Sequence, residues 1–150
     1  MIMPSLNDLD INVLVALGNQ TDSVFTRNYI KLLLVEKIFV LNYAMFFLIN
    51  KFLCSDKILR EVYAEVIIMK MKDNEYYIDE AVLDEILKLV SLDTLMNYGA
   101  ESSSLDFSMK CKEEFWMRAK EIEDKVELNR KRNLDKGKLR NLFNVKKKGE

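Results

Sequence analysis

The chain contains no histidine. That absence removes Ser-His-Asp and Cys-His nucleophile systems, HExxH zinc sites, histidine acid–base pairs and His-ligated haem or iron. Only two cysteines occur, Cys54 and Cys111, far apart and on different expected helices. They make neither a CxxC pair nor a disulfide framework, and a reducing compartment is the default for such a chain. Glycine is limited to four residues and proline to one in 150. Hairpins and sandwich corners are built on those residues, so their scarcity favours helices joined by short polar loops. Neither GxxxxGK nor GxGxxG is present, which excludes the two common phosphate-cradling loops. The N-terminus MIMPSLNDLD has no basic region followed by an apolar one, so no secretory signal is expected.

What remains is a globular composition, 49% hydrophobic and 31% charged, of a size that suits one domain. The pattern predicts an all-α fold: a bundle of five or six helices around a very apolar central helix. A long C-terminal helix and a basic tail follow it. Ser5 with Asp8 resembles a capping box ahead of a first short helix that Gly18 is expected to end. Val24–Leu53 reads as one helix. Past Ile38 its apolar residues fall on nearly every side, which marks it as the hub of the core. Leu32–Ile49 also raises the question of a membrane span. Glu36, Lys37 and Asn42 interrupt it, however, and its longest uncharged run, Ile38–Asn50, has 13 residues where a bilayer needs roughly 20. Ser55 is the expected cap of the next helix, whose stripe is Leu59, Val62, Val66 and Met69. Near 66–78 a helix–loop–helix competes with a short β-hairpin. Asp79 is expected to cap a helix with a stripe of Val82, Leu83, Ile86, Leu87 and Val90. A short helical piece then ends at Gly99. The last helix is expected from about Ser104 to Arg132, with a seam at Phe115, Ala119, Ile122 and Val126.

Two carboxylate pairs one helical turn apart, Glu61/Glu65 and Glu80/Asp84, are the residual route to a magnesium site. The ordinary reading is solvated helix faces, with Glu61 beside Arg60 and Asp84 paired with Lys88. The chain is therefore expected to be no enzyme, with no catalytic residue, cofactor or metal. The eight methionines read as core fillers, or as the lining of a partner groove. Trp116 beside the seam is a packing residue or an interface anchor.

A net charge of −1 conceals a split. Residues 130–150 hold nine basic and two acidic residues, a net +7, and residues 1–129 carry −8. The division predicts an acidic helical domain over 1–129 and a basic arm over 130–150. The candidate partner-binding residues are Trp116, Arg130, Lys131, Arg132, Lys136, Lys138, Leu139, Arg140, Leu142, Phe143, Lys146, Lys147 and Lys148. Leu139, Leu142 and Phe143 form one apolar edge of a helical turn, as in peptides that anchor in grooves. Since the body is acidic, a neighbouring copy is the natural recipient, and such head-to-tail contacts build rings or filaments. A solvated terminus is the bland alternative. Phosphate binding to nucleic acid is another, with Phe143 the only aromatic in the tail to stack on a base. The expected function is a non-enzymatic assembly or adaptor subunit, in the manner of small helical components of viral or mobile-element particles. It would be located in the cytoplasm or in a particle assembled there. A small nucleic-acid-associated regulator is the alternative function.

Overall fold

The computed structural model describes the backbone of residues 6–148 and the side chains of residues 6–138. The protein is all-α, and no strand occurs among the described residues. A 3-10 turn at Leu6–Asp8 leads into α1 (Ile11–Gln20), α2 (Val24–Phe39), α3 (Met45–Cys54) and α4 (Lys57–Met71). Then come α5 (Glu80–Leu89), the single turn α6 (Leu92–Thr94), a π-helical turn at Leu95–Gly99, and α7 (Leu105–Lys148). The chain divides into two units, Met1–Glu114 and Phe115–Glu150. The expected boundary at 129/130 falls within α7. Ser5, the proposed cap, lies outside the described residues.

The hub of the first unit is α4, not the Val24–Leu53 segment. α1, α2, α3, α5 and α6 all pack against it. Every residue from Val62 to Ile68 is buried, and Ile58 and Met71 close the two ends. The expected stripe is thus too narrow: Leu59 and Met69 are only half-buried, while Ile58, Ala64, Ile67 and Ile68 carry the core. Fully burying a side chain of valine or isoleucine size contributes about 1.5–3 kcal/mol, so this one helix supplies a large share of the cohesion.

The expected single helix over 24–53 is broken. α2 ends at Phe39, and α3 starts at Met45. Asn42 adopts φ 51°, a left-handed conformation that asparagine tolerates better than most residues. Lys70 reaches over from α4 and donates to Asn42 Oδ1 at 3.4 Å and to the Tyr43 carbonyl. A cation is favourable at the C-terminal end of a helix, where carbonyls lack partners.

The other expectations meet mixed outcomes. Gly18 does not stop α1. The helix runs on to Gln20, and Gly18 sits inside it against Ile58 and Ile30. Asp56, not Ser55, stands at the N-cap of α4, and it makes no side-chain cap bond. Asn19 Oδ1 from α1 accepts the Ile58 amide at 3.1 Å instead. Val66–Met71 completes α4, and residues 75–79 carry no regular structure, so the helix–loop–helix is what forms near 66–78. Asp79 stands at the N-cap of α5 but makes no side-chain cap bond, and of the expected stripe Leu83, Ile86, Leu87 and Val90 are buried while Val82 is half-buried. α7 begins one residue after Ser104 and passes Arg132 to reach Lys148.

Candidate functional site

The apolar surplus of α2 is outside the core. Ile30, Leu34 and Ile38 face inward. On the opposite side of the helix Phe25, Tyr29, Leu32 and Phe39 follow one another at helical spacing, with Glu36 completing the register. Phe25 is 82% exposed and Leu32 is 69% exposed. The same character continues into the turn and α3, where Val40, Leu41 and Tyr43 are exposed and Phe46 is 78% exposed. Tyr43 packs its ring on Phe47 at 4.5 Å between centroids, and Lys51 Nζ stands 5.4 Å from the Phe47 ring centre. Single exposed apolar residues are ordinary, whereas here several large ones share one helix face.

The carboxylate pairs are occupied by cations. Glu61 holds Arg27 through both oxygens, and this hydrogen bond raises the guanidinium above its ordinary pKa. Glu65 is only 3% exposed. It forms an ion pair with Lys31 at 3.1 Å and accepts the Ser91 amide at 2.6 Å, so it joins α2 and α4 to the start of α6. Glu65 is therefore a core residue rather than part of a solvated face. Glu80 and Asp84 both bind Lys110, at 3.3 and 3.2 Å, where Lys88 had been the expected partner of Asp84. Arg60 turns away from Glu61 and pairs with Glu85 at 2.9 Å. Among the described residues no group of three or more candidate ligands is arranged for a metal. A cavity of about 440 Å³ beside α2, α4 and the π-turn has Lys31 and Glu65 on its wall, already paired with each other.

In the second unit, Trp116 is 67% exposed and meets Phe115 edge-on, with ring centroids 5.7 Å apart. Ile122 and Val126 of the seam are exposed, and so are Met117, Leu128 and Leu134. Arg130, Lys131, Arg132, Lys136 and Lys138 are exposed along the same helix. The side chains of Leu139, Arg140, Leu142, Phe143, Lys146, Lys147 and Lys148 lie outside the described residues.

The expectations missed the α2 face. Its signal was present as a period of three and four within 25–39, beside the inward stripe of Ile30, Leu34 and Ile38. No helix among the described residues is long and apolar enough to cross a membrane. The chain matches no known family model, no curated protein and no solved structure.

Proposed function

We propose that the protein is a non-enzymatic assembly or adaptor subunit that docks on neighbouring protein chains. The observation that carries this reading is the exposed row Phe25–Tyr29–Leu32–Phe39 on α2. A surface of this kind is stable in water when another protein covers it. Trp116 and the exposed seam of α7 support the same reading, since large aromatics and apolar helix faces anchor interfaces. The setting that fits is a multi-subunit particle, such as that of a virus or a mobile element, built in the cytoplasm.

Light scattering on the full chain tests the proposal. The wild type is expected above its 17.6 kDa chain mass, with the excess growing with concentration. The variant Phe25→Ser/Leu32→Ser is expected at the chain mass with an unchanged circular-dichroism spectrum. A wild type that stays at the chain mass at every concentration would sink self-assembly.

The basic arm supports a second reading, a regulator that binds nucleic-acid phosphates. Five cations between Arg130 and Lys138 are exposed on one stretch of helix. Affinity for DNA or RNA that falls steeply with added salt is its signature.

A further inference from the structure

The first unit carries an acidic, apolar groove beside the loop that follows α4. Its volume is about 460 Å³. Met71, Ile78, Leu83, Phe107 and Met109 supply the apolar wall. Glu80, Asp106 and Glu113 are its carboxylates, and Lys110 is its one cation. Lys110 is already bound to Glu80 and Asp84, so Asp106 and Glu113 stand as the outstanding negative charge. Tyr77, fully exposed, stands at the rim. Two methionines in such a wall adapt to whatever side chains enter.

The chain contains a segment with the complementary chemistry. Residues 138–148 hold five basic residues and no acidic one. Leu139, Leu142 and Phe143 fall within the same stretch at spacings that put them on one edge of a helical turn. An apolar edge flanked by cations fits an apolar floor flanked by carboxylates, and charge complementarity of this kind fixes register and speeds encounter. The exposed face of α2 lacks this match, because its one acidic residue is Glu36. The cavity beside the π-turn lacks it too, since its lysine is paired inside it.

We propose that the groove lined by Asp106, Glu113, Leu83 and Phe107 receives the basic segment Lys138–Lys148 of a second copy of the chain. The inference rests on the assembly reading above and adds an acceptor site for the arm. A contact between two different surfaces of identical chains is heterologous, so each copy both gives and receives an arm, and the product is a ring or an open filament.

A charge swap in full-length chains tests it, read by sedimentation velocity at low salt. One variant is Asp106→Lys/Glu113→Lys in the groove. The other is Lys146→Glu/Lys147→Glu/Lys148→Glu in the arm. Each alone is expected to weaken association by about tenfold or more. The chain that carries both sets is expected to recover to within about threefold of wild type, because each altered groove then meets an altered arm. Circular dichroism on each variant separates lost association from lost fold, and the doubly altered chain reports on the groove even where one single variant folds poorly. Arm variants that lose association while groove variants keep it would overturn the inference and leave the assembly reading standing. Failure of the doubly altered chain to recover would also overturn it. Concentration-independent recovery within single chains would place the arm in its own groove, again against the proposal. A wild type that never associates would defeat both the inference and the reading under it.

Discussion

Gly99 and Cys111 pack backbone against side chain so closely that a methyl group on Gly99 would overlap both Sγ and Cβ of Cys111. Cys111 is fully buried in the first turns of α7, and Gly99 closes the π-turn that precedes it. Gly99→Ala is therefore expected to destabilise by about 1–3 kcal/mol, the range for overfilled cores. Pairing it with Cys111→Ala should restore only part of the loss, because the β-carbon overlap remains. Gly18→Ala is the contrast. There the new methyl meets the mobile tip of Ile58, and a mid-helix alanine gains about 1 kcal/mol over glycine, so the net change is expected to be small. Urea unfolding of the three variants measures this.

The same burial sets a pH dependence. It pushes the Cys111 thiol from an ordinary 9.0 up to about 12. An acid whose folded pKa is raised loses its proton more readily in the unfolded chain. Its contribution to stability is complete below pH 9 and declines as pH climbs from there towards 12. Tyr63, raised by burial and then by the nearby Tyr43, acts in the same direction at alkaline pH. The urea midpoint of the wild type should fall as pH rises above 9, and that of Cys111→Ala should fall less. A thiol reagent at pH 8 should modify one cysteine per folded chain, the exposed Cys54, and both after unfolding.

Glu65 and Lys31 give a third test. Glu65→Ala leaves the largely buried Lys31 with only Glu61, at 3.8 Å, and the Ser91 amide without an acceptor. A loss of about 3–5 kcal/mol is expected, as for other broken buried pairs. Replacing both residues with leucine should cost far less, because two apolar side chains leave no charge stranded. Thermal unfolding of the two variants separates the cases. Similar losses in both would show that the pair is not the source.

The outer face of α2 should behave in the opposite way. Phe25→Ser and Leu32→Ser remove side chains that the folded chain leaves in water, so stability is expected to change by less than about 0.5 kcal/mol. Their effect should appear only in association. A large fall in the unfolding midpoint of the isolated chain would mean that these residues pack inside it.

Asn42 is the residue that turns α2 into α3. Asn42→Gly should be tolerated, and Asn42→Val should cost about 1–2 kcal/mol, because a β-branched side chain fits the left-handed region far worse than asparagine does. Denaturation midpoints check both.

The helical class was legible because so little glycine and proline is available for anything else. α5 was legible as well, since its stripe stands clear between polar residues. The hub was misplaced for a definite reason. Apolar residues run on both sides of Asn42, and a single asparagine does not by itself mark a break. The lysine that stabilises the turn lies 28 residues further on. α4 was underrated because a glutamate in mid-helix reads as a solvated face. Its burial depends on Lys31, contributed by another helix. The end of α7 was set too early because the apolar seam gives out near Val126, whereas good helix formers continue to Lys148. The exposed row on α2 was hard to single out because a second apolar stripe, Ile30, Leu34 and Ile38, runs along the same helix.

Placing the hub fourth in chain order has a consequence for biosynthesis. α1, α2 and α3 leave the ribosome before the helix they must cover exists. At about 5–20 residues per second, the inward residues of α2, from Ile30, wait roughly 2–8 s for Met71 to follow. Through that interval the side of α2 that α4 will cover is bare, and so is the row left outward in the finished chain. Nascent-chain chaperones, or a partner already assembled nearby, would meet this protein first at that helix.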